Sequence, residues 1–140
     1  MRLAKTQAGV MLIEALIGIL IFSIGILALI GMQGAAIRNT TDARYRSEAS
    51  FLANQIIGQM WVDRANLSQY TAAGYTPRDN WATSVAETLP GVTGARLPTI
   101  ALGTVGTNTE NEVTVTIQWL QPGETQGRTL IMINRINGGS

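Results

Sequence analysis

The first third of the chain is dominated by one long apolar stretch. No charged residue occurs between Ala15 and Ile37, a run of roughly 23 residues that would measure about 35 Å as a helix. Because the hydrocarbon core of a bilayer is about 30 Å thick, this run predicts a membrane-spanning helix. Its glycines fit either close helix packing through small residues or a loss of helicity on leaving the bilayer: Gly18, Gly25, Gly31 and Gly34.

Beyond the apolar stretch the helical pattern continues and becomes amphipathic. There is no Pro between Arg38 and Trp61, and Asp42 precedes Arg46 by four residues, the favourable order for an ion pair on one helix face. A helix from about residue 10 to residue 63 would be roughly 80 Å long. The rest of the chain is too small to bury it, so we expect lipid or related helices to cover its first half. The apolar stripe on its second half comprises Tyr45, Ala49, Leu52, Ile56 and Met60.

After the long helix, the pattern predicts a loop and a second, short helix. Asn66–Asn80 mixes Ser, Thr, Gly and Pro, which is typical of a loop. Trp81–Leu89 predicts a short helix, with Asp79 or Asn80 as its cap. Pro90-Gly91 follows this segment and ends the helix.

The last third predicts strands. Pro98 restricts Ala95–Leu102 to an edge strand, Glu112–Leu120 alternates between apolar and polar residues, and Arg128–Ile133 follows a turn as its hairpin partner. The fold class is therefore α+β, with a long N-terminal helix packed on a small antiparallel sheet. The apolar face of the central strand comprises Val113, Val115, Ile117 and Trp119.

Composition excludes several kinds of chemistry. The 140 residues include no Cys and no His, so disulfides, thiol nucleophiles, imidazole bases and the usual zinc sites are absent. The net charge of +1 gives no reason to expect a nucleic-acid partner. Asn108, Glu110 and Glu112 alternate without the pattern of a calcium loop. No catalytic site, metal or cofactor is predicted, and the three tryptophans are expected to be packing residues: Trp61, Trp81 and Trp119.

A short basic leader precedes the apolar stretch. Its charges are Arg2 and Lys5, which favour a cytoplasmic N-terminus with the rest of the chain across the membrane. A removable secretory signal has a shorter apolar region, of about 7–15 residues, before a small-residue cleavage site. Cleavage after Ala36 would instead release a periplasmic binding module, a second interpretation of this segment.

An acidic residue lies inside the apolar segment. Glu14 is the fifth residue after Gly9, and an unpaired carboxylate at membrane depth is costly and suggests a function. Cleavage between Gly9 and Val10 would create an α-amine at Val10. This amine and the carboxylate would neutralise each other at low dielectric, either within one chain or between staggered neighbours.

These residues resemble the cleavage motif of type IV prepilins, in which a basic leader ends in Gly and a Glu is the fifth residue of the mature chain. Here the motif is Gly9-Val10-Met11-Leu12-Ile13-Glu14, with Val10 where most members have Phe. The following EALIGILIFSIGILALIGMQ and DARYRSEASFLANQIIGQMWVDRANL resemble the PilV group of minor pilins. The resemblance covers about the first 70 residues. Its cleavage motif is specific to the type IV pilin superfamily.

The resemblance implies a path from the membrane into a fibre. Prepilin peptidase would cut after Gly9 and methylate the amine of Val10, and Glu14 would support docking by neutralising the N-terminus of a neighbouring subunit. The mature protein would lie in the inner membrane and then enter a pilus, in a priming complex at its tip with other minor pilins and the major pilin. The implied organisation is a leader (1–9), a transmembrane assembly helix (10–37), its amphipathic continuation (38–65) and a small periplasmic α+β head (66–140).

A minor pseudopilin of a type II secretion system shares the leader, Glu14 and the predicted architecture. Loss of pili and twitching on deletion would favour the pilin hypothesis, whereas loss of exoprotein secretion with normal pili would favour the pseudopilin.

Overall fold

The computed structural model describes residues 5–104 and 110–137 of the chain. The first element is a 58-residue helix, α1 (Lys5–Val62), so the prediction of a long helix reaching residue 63 is confirmed to within one residue. Two compact units divide the chain, with the boundary between Thr41 and Asp42. Up to Thr41 the described part of the first unit is helix alone.

The surface of α1 within the first unit is exposed. Every residue from Gly9 to Ile37 is exposed, although most of them are apolar. Among the described residues, α1 is the one helix that is long and apolar enough to cross a membrane. An N-terminal membrane anchor therefore agrees with the structure.

The C-terminal unit, residues 42–140, combines the end of α1 with a second helix and three strands. A 3₁₀ segment (Arg64–Thr71) follows α1 and leads to α2 (Thr76–Thr88). The strands are β1 (Thr99–Thr104), β2 (Glu110–Trp119) and β3 (Arg128–Asn137). They form one antiparallel sheet in the order β1-β2-β3, so the predicted α+β layout is confirmed at this level.

The core of this unit lies where the second half of α1 meets the inner face of the sheet. The predicted stripe on α1 is buried at Ala49, Leu52, Ile56 and Met60, and Tyr45 packs against its edge. The predicted apolar face of β2 is buried as well, which confirms its alternation. The helix α2 and the residue after it cover the same core with Trp81, Val85 and Leu89.

The predicted start of the second helix was wrong. The helix α2 begins at Thr76 and not at Trp81, with Tyr75 as its N-cap instead of Asp79 or Asn80. Pro77 lies in the first turn, where its missing N–H group costs no hydrogen bond and its fixed φ suits the helix. The loop predicted for Asn66–Asn80 is therefore helical at both ends.

The predicted edge strand was displaced. The strand β1 covers Thr99–Thr104 and not Ala95–Leu102, because Gly94–Arg96 forms a 3₁₀ turn and Pro98 stands just before the strand. The strand β1 lies at the edge of the sheet, as predicted. The hairpin pairs Trp119 with Arg128, and β3 continues past Ile133 to Asn137.

The three tryptophans do not share one environment. Trp81 and Trp119 are buried, as expected for packing residues, whereas Trp61 is 39% exposed. Trp61 follows the buried Ile57 by four residues, a rotation of about 40°, so it lies at the margin of the buried face and not at its centre. The prediction that Trp61 is a core or helix–sheet packing residue was wrong, because it does not belong to the hydrophobic core.

Candidate assembly site

The residues of the predicted cleavage and docking motif lie in the first turns of α1. Gly9, Val10 and Glu14 are helical and exposed in the single chain. A separation of four residues places Val10 and Glu14 on one face, about 6 Å apart along the axis. A cut before Val10 would therefore create a positive group one turn away from a carboxylate, within one helix or against a neighbour shifted along it.

The helix surface around this motif is almost entirely aliphatic. Large side chains along the first unit are well exposed, and an apolar surface of this extent needs lipid or other protein to cover it. A charge within such a cover interacts much more strongly with an opposite charge than it would in water. The exposed side chains include Val10, Leu12, Ile13, Leu16, Ile17, Leu20, Phe22, Ile26 and Ile30.

Asp42, the first residue of the C-terminal unit, connects α1 to the turn between β2 and β3. Its Oδ2 lies 3.2 Å from Arg46 Nε, which confirms the predicted i,i+4 pair. Its Oδ1 accepts a hydrogen bond from Gln121 Nε2 at 2.8 Å and lies 3.5 Å from Arg128 Nε. The sequence did not indicate these last two contacts, because their partners are distant from Asp42 along the chain.

A second carboxylate organises the chain after α1 ends. Asp63 Oδ2 accepts a hydrogen bond from Tyr70 Oη at 3.1 Å and a short one from Tyr75 Oη, and Asn66 Nδ2 donates to Oδ1 at 2.7 Å. Donation from Tyr75 and then Asn66 lowers the pKa of Asp63, because these bonds favour the charged carboxylate. Burial and the bond to Asp63 raise the pKa of Tyr70, and the bond to Asp63 raises the pKa of Tyr75.

The role of this cluster is structural. Tyr70 is buried and its ring lies 4.9 Å from that of Tyr75 in an edge-to-face arrangement. Asp63 therefore ties together the end of α1, the 3₁₀ segment and the residue that caps α2. Apart from the proximity of these residues along the chain, no sequence pattern indicates the cluster.

Replacing Asp63 with Asn should destabilise the unit in a pH-dependent way. Because its pKa is lowered on folding, Asp63 contributes stability above about pH 4, and this contribution is lost as the pH falls and the folded-state carboxylate becomes protonated. The difference in unfolding free energy between wild type and Asp63→Asn should therefore be constant at neutral pH and shrink on acidification. Urea unfolding of the full chain in detergent at pH 7 and at pH 3 measures it.

The control for this prediction is Glu87→Gln, which neutralises an exposed carboxylate that makes no ion pair among the described residues. It should change the unfolding free energy little at either pH. A difference for Asp63→Asn that grows on acidification would contradict the role of the charged carboxylate.

Within the ranges that the structure describes, no cluster of three or more carboxylates could hold a metal ion. Of the three loop residues considered for a cation, Asn108 lies outside those ranges, and Glu110 and Glu112 lie on β2. Gly9, Val10 and Glu14 lie on α1, and their roles in cleavage, methylation and docking stay predictions. Comparison of the chain with protein families, with characterised proteins and with solved structures finds no match.

Proposed function

We propose that this chain is a minor pilin similar to the PilV group. Prepilin peptidase removes residues 1–9 on the cytoplasmic side of the inner membrane and methylates Val10. The mature chain then joins other minor pilins in a complex that primes type IV pilus assembly, with the major pilin added behind it. In this proposal the chain is a structural subunit and not an enzyme, and it uses no cofactor.

One observation carries the proposal: a single helix combines an exposed apolar surface, an acid within that surface and a folded unit built on its second half. The acid follows a candidate cleavage site at the spacing that lets a new α-amine neutralise it. A plain membrane anchor has no use for Glu14, which would only weaken its insertion. A subunit that docks against the N-terminus of a neighbour needs this carboxylate, because it neutralises the neighbour's α-amine.

The layout of the C-terminal unit supports the same proposal. A pilin-like fold, as the resemblance implies it, has a long helix whose second half packs on an antiparallel sheet. Here the helix α1 contributes six core residues to a unit whose sheet has three strands: Ala49, Leu52, Ala53, Ile56, Ile57 and Met60. The second half of α1 is therefore an integral part of this core, as a subunit attached to a fibre through its helix requires.

The mature N-terminus tests this proposal. We expect the membrane-extracted protein to begin at Val10, with or without an added methyl group, and intact-mass measurement with N-terminal sequencing decides it. A mature form that begins at Ile37 would contradict the pilin proposal and favour a released periplasmic module. An uncleaved chain would also contradict it, provided that a known pilin in the same cells is processed.

A further inference from the structure

The turn between β2 and β3 borders a polar hollow of about 390 Å³. The turn holds one acid and one base, Glu124 and Arg128. Gly123 has a φ of 83°, a left-handed conformation that suits glycine. We call this site the hairpin hollow. Its lining comprises Gly123, Glu124, Thr125, Gln126, Gly127 and Arg128.

Two arginines bring positive charge to the hairpin hollow. The side chain of Arg128 is 40% exposed, and its Nε and Nη2 lie 3.5 Å from Asp42 and Glu124 respectively, farther than the roughly 2.7–2.9 Å of a good charged hydrogen bond. Arg96 approaches the same turn, because a Cβ atom at Gly127 would lie 3.5 Å from Arg96 Nε. Arg96 forms no ion pair with any described residue. Guanidinium donors therefore remain for an anionic oxygen.

The hairpin hollow is tied to the first residue of the C-terminal unit. Gln121, just before the turn, donates a hydrogen bond to Asp42 at 2.8 Å. Asp42 follows Ile37, the last residue of the uncharged stretch, by five residues, or about 8 Å along a helix. The polar headgroup region of a bilayer extends about 5–8 Å beyond its hydrocarbon core. When α1 spans a bilayer, the turn therefore comes within reach of the lipid headgroups.

We propose that the hairpin hollow binds the headgroup of a zwitterionic phospholipid of the phosphoethanolamine class. Arg96 and Arg128 donate hydrogen bonds to the phosphate oxygens, and the carboxylate of Glu124 accepts one from the ammonium group of the lipid. A simple anion would be repelled by Glu124, whereas a headgroup with both charges uses the acid and the bases together. Hydrogen bonds between charged groups are about twice as strong as neutral ones.

This site goes beyond the proposed function, because it requires a membrane anchor and not a fibre. It holds the C-terminal unit at the membrane surface while α1 lies in the bilayer. Arg128 and Glu124 are 40% and 38% exposed, so water weakens each contact. The headgroup can therefore be released when the subunit leaves the membrane.

Native mass spectrometry of the full chain, in detergent with lipids of matched acyl chains, tests this site. We expect phosphatidylethanolamine to bind about tenfold more tightly than phosphatidylcholine, because a quaternary ammonium has no N–H group to donate to Glu124, and one charged hydrogen bond is worth about this factor. Glu124→Gln should remove most of the preference. Equal binding of the two lipids by the wild-type chain would contradict the proposal, as would tighter binding of the anionic phosphatidylglycerol.

The arginine contact is tested by Arg96→Gln, which should weaken phosphatidylethanolamine binding about tenfold, whereas Arg96→Lys should keep most of it. The matched control is Arg64→Gln, the same change at an exposed arginine that also forms no ion pair in the described ranges. Equal affinities for Arg96→Gln and Arg64→Gln would overturn the proposal. Displacement of the lipid by inorganic phosphate would also overturn it, since the turn would then be a site for free phosphate.

Because the natural chain has no Cys, a fluorophore on a single introduced Cys reports how close the turn lies to the headgroups. Thr125→Cys places it in the hairpin hollow. The control, Ala73→Cys, is exposed near Tyr75, which contacts Asp63, about 30 Å along α1 from Asp42. In phosphatidylethanolamine vesicles, a quencher on the lipid headgroup should remove most of the emission at residue 125 and little at residue 73. Equal quenching would contradict the proposal.

The readouts separate this inference from the proposed function. A mature N-terminus at Val10 without a headgroup preference contradicts only the lipid site. Headgroup binding by a chain that stays uncleaved contradicts only the pilin proposal.

Discussion

Replacing Glu14 with Ala should leave cleavage after Gly9 intact and lower the amount of the protein in fibres by about a hundredfold. The substitution removes the carboxylate but none of the residues at the cleavage site. In the assembled state the amine of Val10 would then lie at low dielectric without an opposite charge. Removing one partner of a buried charge pair commonly costs several kcal/mol, which corresponds to this loss.

Quantification of the protein in sheared fibres, relative to the membrane pool, measures the effect. Glu14→Gln should also fail, because a neutral amide restores a hydrogen bond but not the charge. The matched control is Glu87→Ala, the same change at an exposed residue of α2, and it should enter fibres normally. Fibres that contain the Glu14→Ala chain at the wild-type level would contradict the pairing of acid and amine.

The parts of the fold that the sequence predicts correctly are those with a regular repeat. Leu52, Ile56 and Met60 recur at helical spacing and are buried on one side of α1. Val113 and Val115 alternate with more polar residues, and the apolar face of β2 lies in the core as expected. In each case one face is buried and the other is not, so the period of the element determines the pattern.

The errors occur where a local signal admits more than one structure. Pro77 can end a loop or begin a helix, and it lies in the first turn of α2. Trp61 is large and apolar, which favours burial on average, but its angular position on α1 is at the margin of the buried face, and 39% of it is exposed. Composition alone does not distinguish these cases, because the outcome depends on which face of the element the rest of the unit covers.

The sequence likewise predicts some contacts of the candidate site and misses others. Gly9, Val10 and Glu14 lie close together along the chain, so the sequence shows their spacing directly. The contacts of Asp42 join α1 to Gln121 and Arg128, which are distant from it along the chain. No pattern along the chain relates these residues, and only the packing of the folded C-terminal unit brings them together.

The two tryptophans Trp119 and Trp61 allow a sharp test of how the C-terminal unit is stabilised. Trp119 on β2 is 1% exposed and pairs across the sheet with Arg128. Replacing Trp119 with Ala should lower the free energy of unfolding by about 3–5 kcal/mol, because it removes the largest buried side chain of β2 and leaves a cavity. The same change at Trp61, which packs only at the surface, should cost about 1 kcal/mol or less.

Urea unfolding of the full chain in detergent, followed by circular dichroism, compares both variants with wild type. Trp119→Phe extends the test if the Ala variant does not fold. The indole Nε1 of Trp119 is buried and meets no acceptor among residues 5–104 and 110–137, so the phenyl ring removes an unpaired donor while it keeps most of the apolar contact. The loss for Trp119→Phe should therefore stay well below the loss for Trp119→Ala. Equal losses for Trp119→Ala and Trp61→Ala would mean that β2 does not pack on α1 through this residue.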